Sequence, residues 1–199
     1  MALTDITIRT AKSKDEIYMT VDEKVLREKK QKDKQLLKVY AEFGITAEKA
    51  QQFEIEAGNV LLSFFTISNN KSNKRMNSEE VEFFKNIIEQ INKSTLGKLL
   101  KQIRNIVHFD NSALKMINDA LDCRNYLFHN FFRTHNFAIF IAKGRMEMIS
   151  DLKDIQSKLN LAIIALVNIG DLIDKISDRQ IINEKDAQNL MTIGRRIKI

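Results

Sequence analysis

An all-α fold, a bundle of about five to seven helices, is what three features of this 199-residue sequence predict. Proline is absent. Its ring interrupts helix interiors and punctuates loops, so a chain without it favours long unbroken helices. Only 6 glycines serve the whole chain, too few for the many tight turns of an all-β architecture. Between a few polar turns, apolar residues recur at steps of three and four, the spacing that lines one face of a helix. With 44% hydrophobic and 29% charged residues, the composition is that of a globular chain with a core, not a disordered one.

The length suits one domain, or at most two small ones. The bundle is expected over residues 21–178, after an N-terminal extension (1–20) and before a basic C-terminal tail or short helix (179–199). Asp5–Thr10 alternates weakly and reads as a short edge strand or a loose tail. From Val21 the pattern is helical, with Leu36, Leu37, Tyr40 and Phe43 closing it before Gly44 supplies a stop. Inside that stretch Arg27–Gln35 (REKKQKDKQ) has no apolar residue. It reads as a solvated helix turn or projecting helical hairpin, with an RNA-facing basic arm as the sharper alternative. Thr46 can cap a second helix carrying Phe53, Val60, Leu61 and Phe64. Asn69–Asn77 is polar and turn-like, and Asn77 with Glu80 fits a capping box for the next helix.

Ser94-Thr95-Leu96-Gly97 breaks that helix and starts another through Ile106. Asp110 or Ser112 begins a helix running through Phe131–Phe132, and apolar Asn136–Lys143 reads as an extended connector. The clearest element is last. Met148, Leu152, Ile155, Leu159, Ala162, Leu166, Ile169, Ile173 and Ile176 recur at helical spacing, so this helix must lie along others for most of its length.

Composition also bounds the function. The net charge is +6 and the isoelectric point about 9.3, which favours a polyanionic partner such as RNA or DNA. One cysteine excludes an intrachain disulfide and fits a reducing, cytoplasmic setting. The longest apolar run, Asn160–Gly170, is too short to span a bilayer, and the start lacks the apolar run of a secretory peptide, so no membrane is expected. Glycine-rich phosphate loops, paired-histidine zinc helices and GxSxG elbows are missing. Cys123, His129 and His135 match no zinc spacing and would scatter around one helix, so neither metal nor cofactor is expected. A helix-turn-helix with an exposed basic recognition helix is likewise missing, which weighs against a DNA-binding bundle.

One segment concentrates polar chemistry on an apolar helix, Ser112–His135. At about 100° per residue, Leu114, Ile117, Leu121, Phe128, Phe131 and Phe132 share a stripe with Arg124 near its middle. Asn125 and His129 stand on its border, with Arg133 one turn further on. A guanidinium aimed at a core needs a partner. Either an acidic side chain such as Glu54, Glu56 or Asp171 meets it, or the stripe opens onto a cleft or subunit seam. In the first case His129 is a hydrogen-bonded histidine at a packing border. Phe131–Phe132 reads as core rather than as a base-stacking platform.

Arg124-Asn125-Tyr126-Leu127-Phe128-His129 resembles the R-x4–6-H signature of HEPN (higher eukaryotes and prokaryotes nucleotide-binding) domains, including the asparagine after the arginine. Asn130-Phe131-Phe132 is similar to the aromatic continuation of some bacterial members. The resemblance covers Leu121–Arg133 and implies a helical bundle that homodimerises and pairs two copies of the motif. It also implies a metal-independent endoribonuclease of the kind that serves as toxin or antiviral effector. Arg124, Asn125 and His129 would be its catalytic residues and Arg133 a substrate contact. Other members of the family have lost catalysis and only bind nucleotides or partners. The alternative expectation for this chain is a non-enzymatic helical module that holds a partner protein such as an antitoxin, or binds RNA without cutting it. Arg124 and His129 lie about 140° apart on a regular helix, so a site using both is expected to be completed by a second subunit.

Overall fold

Two long helices form the spine of the molecule. The computed structural model describes residues 14–69 and 78–176. Among these it contains α1 (Lys14–Asn69), α2 (Ser78–Lys93), α3 (Leu96–Ile106), α4 (Asn111–His129), α5 (Phe131–Thr134) and α6 (Ala142–Ile176). A 3₁₀ turn spans Ala138–Phe140, and no strand occurs among the described residues. The all-α bundle is therefore as the apolar periodicity predicts. The readings at Asp5–Thr10, at the Asn77–Glu80 capping box and over 179–199 lie outside the described residues, as does nearly all of the predicted loop after Asn69.

α1 and α6 run parallel in a constant register. Arg145 donates to Gln35, Gln156 to Thr46 and Lys49 to Asn160, each pair separated by 110 or 111 residues. α4 descends antiparallel along the same spine, since Arg124 meets Glu54 while Phe131 meets Phe43. α2 crosses α1 at Gly58, where an added Cβ would come within 2.9 Å of Ile91. The core lies between these helices. It is filled by Phe53 and Leu61 of α1, Leu100 and Ile103 of α3, Ile117 and Leu127 of α4, and Leu152 and Leu159 of α6. Each such side chain stabilises the fold by about 1.5–3 kcal/mol relative to exposure.

Four sequence readings are corrected by the structure, the two within α1 through contacts distant in the chain. Gly44 does not stop α1, which continues to Asn69. One glycine inside a helix costs only about 1 kcal/mol, and burial of the flanking turns offsets it. Thr46 is not a cap. Its hydroxyl donates to the Glu42 carbonyl at 2.6 Å and accepts from Gln156 at 2.9 Å, which satisfies it in a fully buried place. Asn130 ends α4 at His129, so Phe131–Phe132 open a separate short turn, α5. Asn136–Lys143 is no extended connector either, because it folds into the 3₁₀ turn and the start of α6.

The corner between α5 and α6 is tightly built. A Cβ on Gly144 would sit 2.6 Å from Ala138 Cα, against backbone that cannot yield. Arg145, 4% exposed, donates Nε to Gln35 Oε1 at 2.9 Å and Nη1 to the Ile139 carbonyl at 3.0 Å. The guanidinium thus ties the corner to α1 through neutral acceptors. By length and composition Ala142–Lys175 of α6 could cross a membrane. In the fold its apolar line (Met148, Leu152, Leu159, Leu166) is buried in the bundle, and Lys153, Asp154 and Lys158 are exposed.

Two helix starts follow their predicted signals. Thr95 precedes α3, and Asp110 caps α4, its carboxylate accepting from the Ala113 N–H and the Ser112 hydroxyl at 2.7 Å each. The Ala113 bond, and then the Ser112 bond, hold the Asp110 carboxyl below its ordinary range. A depressed pKa means that the cap stabilises above the unfolded-state value and is lost as pH falls through the folded-state value. Asp110→Ala is expected to lower the melting temperature at pH 7, and the gap from wild type should close as the pH is taken down through the acid range. A gap constant with pH would show that the carboxylate contributes no ionic part.

Candidate functional site

α4 presents its polar residues on two flanks. Arg124 sits at the edge of the core face, with its side chain 26% exposed. Its Nη2 donates to Glu54 Oε2 at 3.3 Å and its Nη1 to Asn125 Oδ1 at 3.3 Å. Its Cζ lies 5.2 Å from the centre of the Phe128 ring, a cation–π contact worth about 0.5–1 kcal/mol. Arg124 Nε is buried and has no hydrogen-bond partner among the described residues. The guanidinium therefore has its acidic partner, Glu54, one of the three the sequence offered, yet it is neither sealed in the core nor fully satisfied.

Asn125 and His129 are exposed on the outer flank, and Arg133 is exposed on α5. The His129 side chain makes no hydrogen bond to the described residues. The predicted set is thus brought together only in part. Arg124 and Asn125 touch, whereas His129 points about 140° around α4 from Arg124 because the helix stays regular through that residue. Phe131 is 1% exposed and packs on Phe43, Tyr126 and His135, as a core residue should. Phe132 departs from the core reading, being 39% exposed and resting its ring on Tyr40 and Phe43. Two further aromatics are exposed, Phe128 under the Arg124 guanidinium and Tyr40 of α1 beside Phe132.

His135 Nε2 lies 2.9 Å from Asp151 Oδ2, and its ring packs at a tilt against Phe131. The partner stands across the α5–α6 corner, so no local spacing could have signalled it. Cys123 is half-buried, and burial pushes its thiol pKa up, which makes it a poor nucleophile at neutral pH. Among the described residues no three His, Cys, Asp or Glu side chains gather as a metal site requires. The chemistry on offer is an open imidazole, an amide, and two guanidiniums, one of them held at an aromatic edge. That set suits proton transfer and phosphate contact.

Comparison with models of protein families, with curated proteins and with solved structures returned no match to this chain.

Proposed function

We propose that this chain is a metal-independent endoribonuclease of HEPN type, acting as a homodimer whose two α4 helices complete a shared site. The observation that carries the proposal is the state of His129. It is open to solvent and unengaged by the described residues, beside Asn125 and before Arg133, on a basic protein. An exposed imidazole can take a proton and return it during a reaction. In the proposed reaction His129 takes the proton of an RNA 2′-hydroxyl as its oxygen attacks the adjacent phosphorus. The P–O5′ bond breaks as a protonated imidazole gives its proton to the leaving 5′ oxygen, leaving a 2′,3′-cyclic phosphate on one product and a 5′-hydroxyl on the other. Arg124 of the facing subunit, its side chain partly exposed, exchanges its Glu54 contact for the substrate and offsets charge on the phosphorane, and Asn125 orients it. Arg133 is the outlying phosphate contact. A role as toxin or antiviral effector in the cytoplasm, held in check by a partner protein, belongs to the same proposal.

The Arg124–Glu54 pair favours a second reading, a non-catalytic helical module that binds nucleotide, RNA or a partner protein. Product analysis separates the two. The nuclease reading expects RNA fragments with 2′,3′-cyclic phosphate and 5′-hydroxyl ends, formed in EDTA. Intact RNAs of diverse sequence after incubation with the dimer would leave the module. Glu54→Gln sharpens the test. The pair is partly exposed, so its loss costs at most about 1 kcal/mol of stability. If Arg124 serves phosphate, freeing it keeps or raises cleavage. If Arg124 serves only structure, RNA affinity does not respond.

A further inference from the structure

The N-terminal part of α1 runs on beyond the bundle. Gln35 meets Arg145 in the first turn of α6, and α6 starts at Ala142. Residues 23–34 are all exposed. They carry Lys24, Arg27, Lys29, Lys30, Lys32 and Lys34 against Glu23, Glu28 and Asp33, six cations less three anions, or net +3.

The helix sorts these charges. At about 100° per residue, Arg27, Lys30, Lys34 and Lys38 fall within an arc of about 80° and extend over about 16 Å. Glu28 and Asp33 lie about 100° or more from its centre. Glu23 shares the stripe but reaches Arg27 only at 3.7 Å, between two well-exposed side chains. The stripe points away from the core, since Val39, Thr46, Ala50, Phe53 and Ala57 line the opposite side of α1. The acidic residues interspersed in the sequence therefore leave one face of the helix basic.

We infer that this stripe docks the phosphate backbone of single-stranded RNA. The inference rests on the proposed function for its choice of RNA. Four flexible cations in a row offer sequence-independent phosphate contacts and no readout of base edges. An anionic bilayer would want a broad apolar face beside the cations. Among the described residues Leu26 and Leu37 flank the stripe, eleven residues apart, and Ile45 lies in line with it beyond Lys38, which makes no broad apolar face.

The test uses the full chain and a fluorescent single-stranded oligoribonucleotide carrying 2′-O-methyl groups, which cannot be cut by 2′-oxygen attack. Arg27→Gln/Lys30→Gln/Lys34→Gln/Lys38→Gln is compared with a control in which exposed Lys98, Lys101, Lys115 and Lys153 become Gln. Glutamine keeps helix propensity, so circular dichroism should stay unchanged. The stripe variant should bind about tenfold or more weaker than the control, and its log affinity should lose about 2–3 units of slope against log salt. Affinity and slope equal to the control's would overturn the inference, as would binding of wild type to phosphatidylserine vesicles but not to RNA. If His129→Ala loses cleavage while the stripe variant binds normally, the docking inference alone falls. Binding through the stripe by a wild type that never cuts RNA would remove the nuclease reading alone.

Discussion

His129→Ala is expected to lower RNA cleavage by about 10²–10⁴-fold, the usual contribution of a positioned proton-transfer group. The loss should appear with no change in melting temperature, because the imidazole is exposed and bonds to none of the described residues. Binding of an uncleavable RNA should be kept. This separates His129 from Arg124, whose replacement also removes the contacts to Glu54 and Phe128 and so costs some stability. The pH profile adds a second readout. A histidine acting in proton transfer makes the rate depend on pH, and His129→Ala should flatten that part of the profile. Cleavage by His129→Ala at the wild-type rate would remove the imidazole from the mechanism.

Phe131→Ala is expected to destabilise the fold by about 3–5 kcal/mol, the range for truncating a buried aromatic ring. Phe131 joins α5 to three other parts of the bundle, through Phe43 of α1, Tyr126 of α4 and His135 at the corner. Removing it empties the space beneath α5 and loosens the His135–Asp151 pair. Phe132→Ala should cost far less stability, since that ring lies on the surface of Tyr40 and Phe43. Chemical denaturation of the two variants checks the contrast. Equal losses would mean that Phe132 is as much part of the core as Phe131.

The pair Phe131–Phe132 also shows what a sequence can and cannot specify. Two adjacent aromatics on an apolar stripe read alike, and only the break at Asn130 decides which is buried. Local signals were legible where local chemistry sets the structure. The Asp110 cap, the Ser94–Gly97 break and the apolar line from Met148 through Leu166 are of this kind. The continuity of α1 through Gly44 was not legible, because the hydroxyl of Thr46 finds Gln156 110 residues away. The parallel register of α1 and α6 depends on equally distant contacts. At the candidate site, the need of Arg124 for an acidic partner followed from its place on an apolar face. Selecting Glu54 over Glu56 or Asp171 required the fold.

The composite site is tested most directly by mixing two inactive variants. Arg124→Ala and His129→Ala each spoil both sites of their own homodimer. Random exchange makes half of the dimers mixed, and each mixed dimer holds one site with both Arg124 and His129 intact. A mixture allowed to exchange subunits should therefore recover about a quarter of wild-type cleavage. A mixture that stays as inactive as either variant alone, after exchange has been verified, would contradict a site shared between two chains.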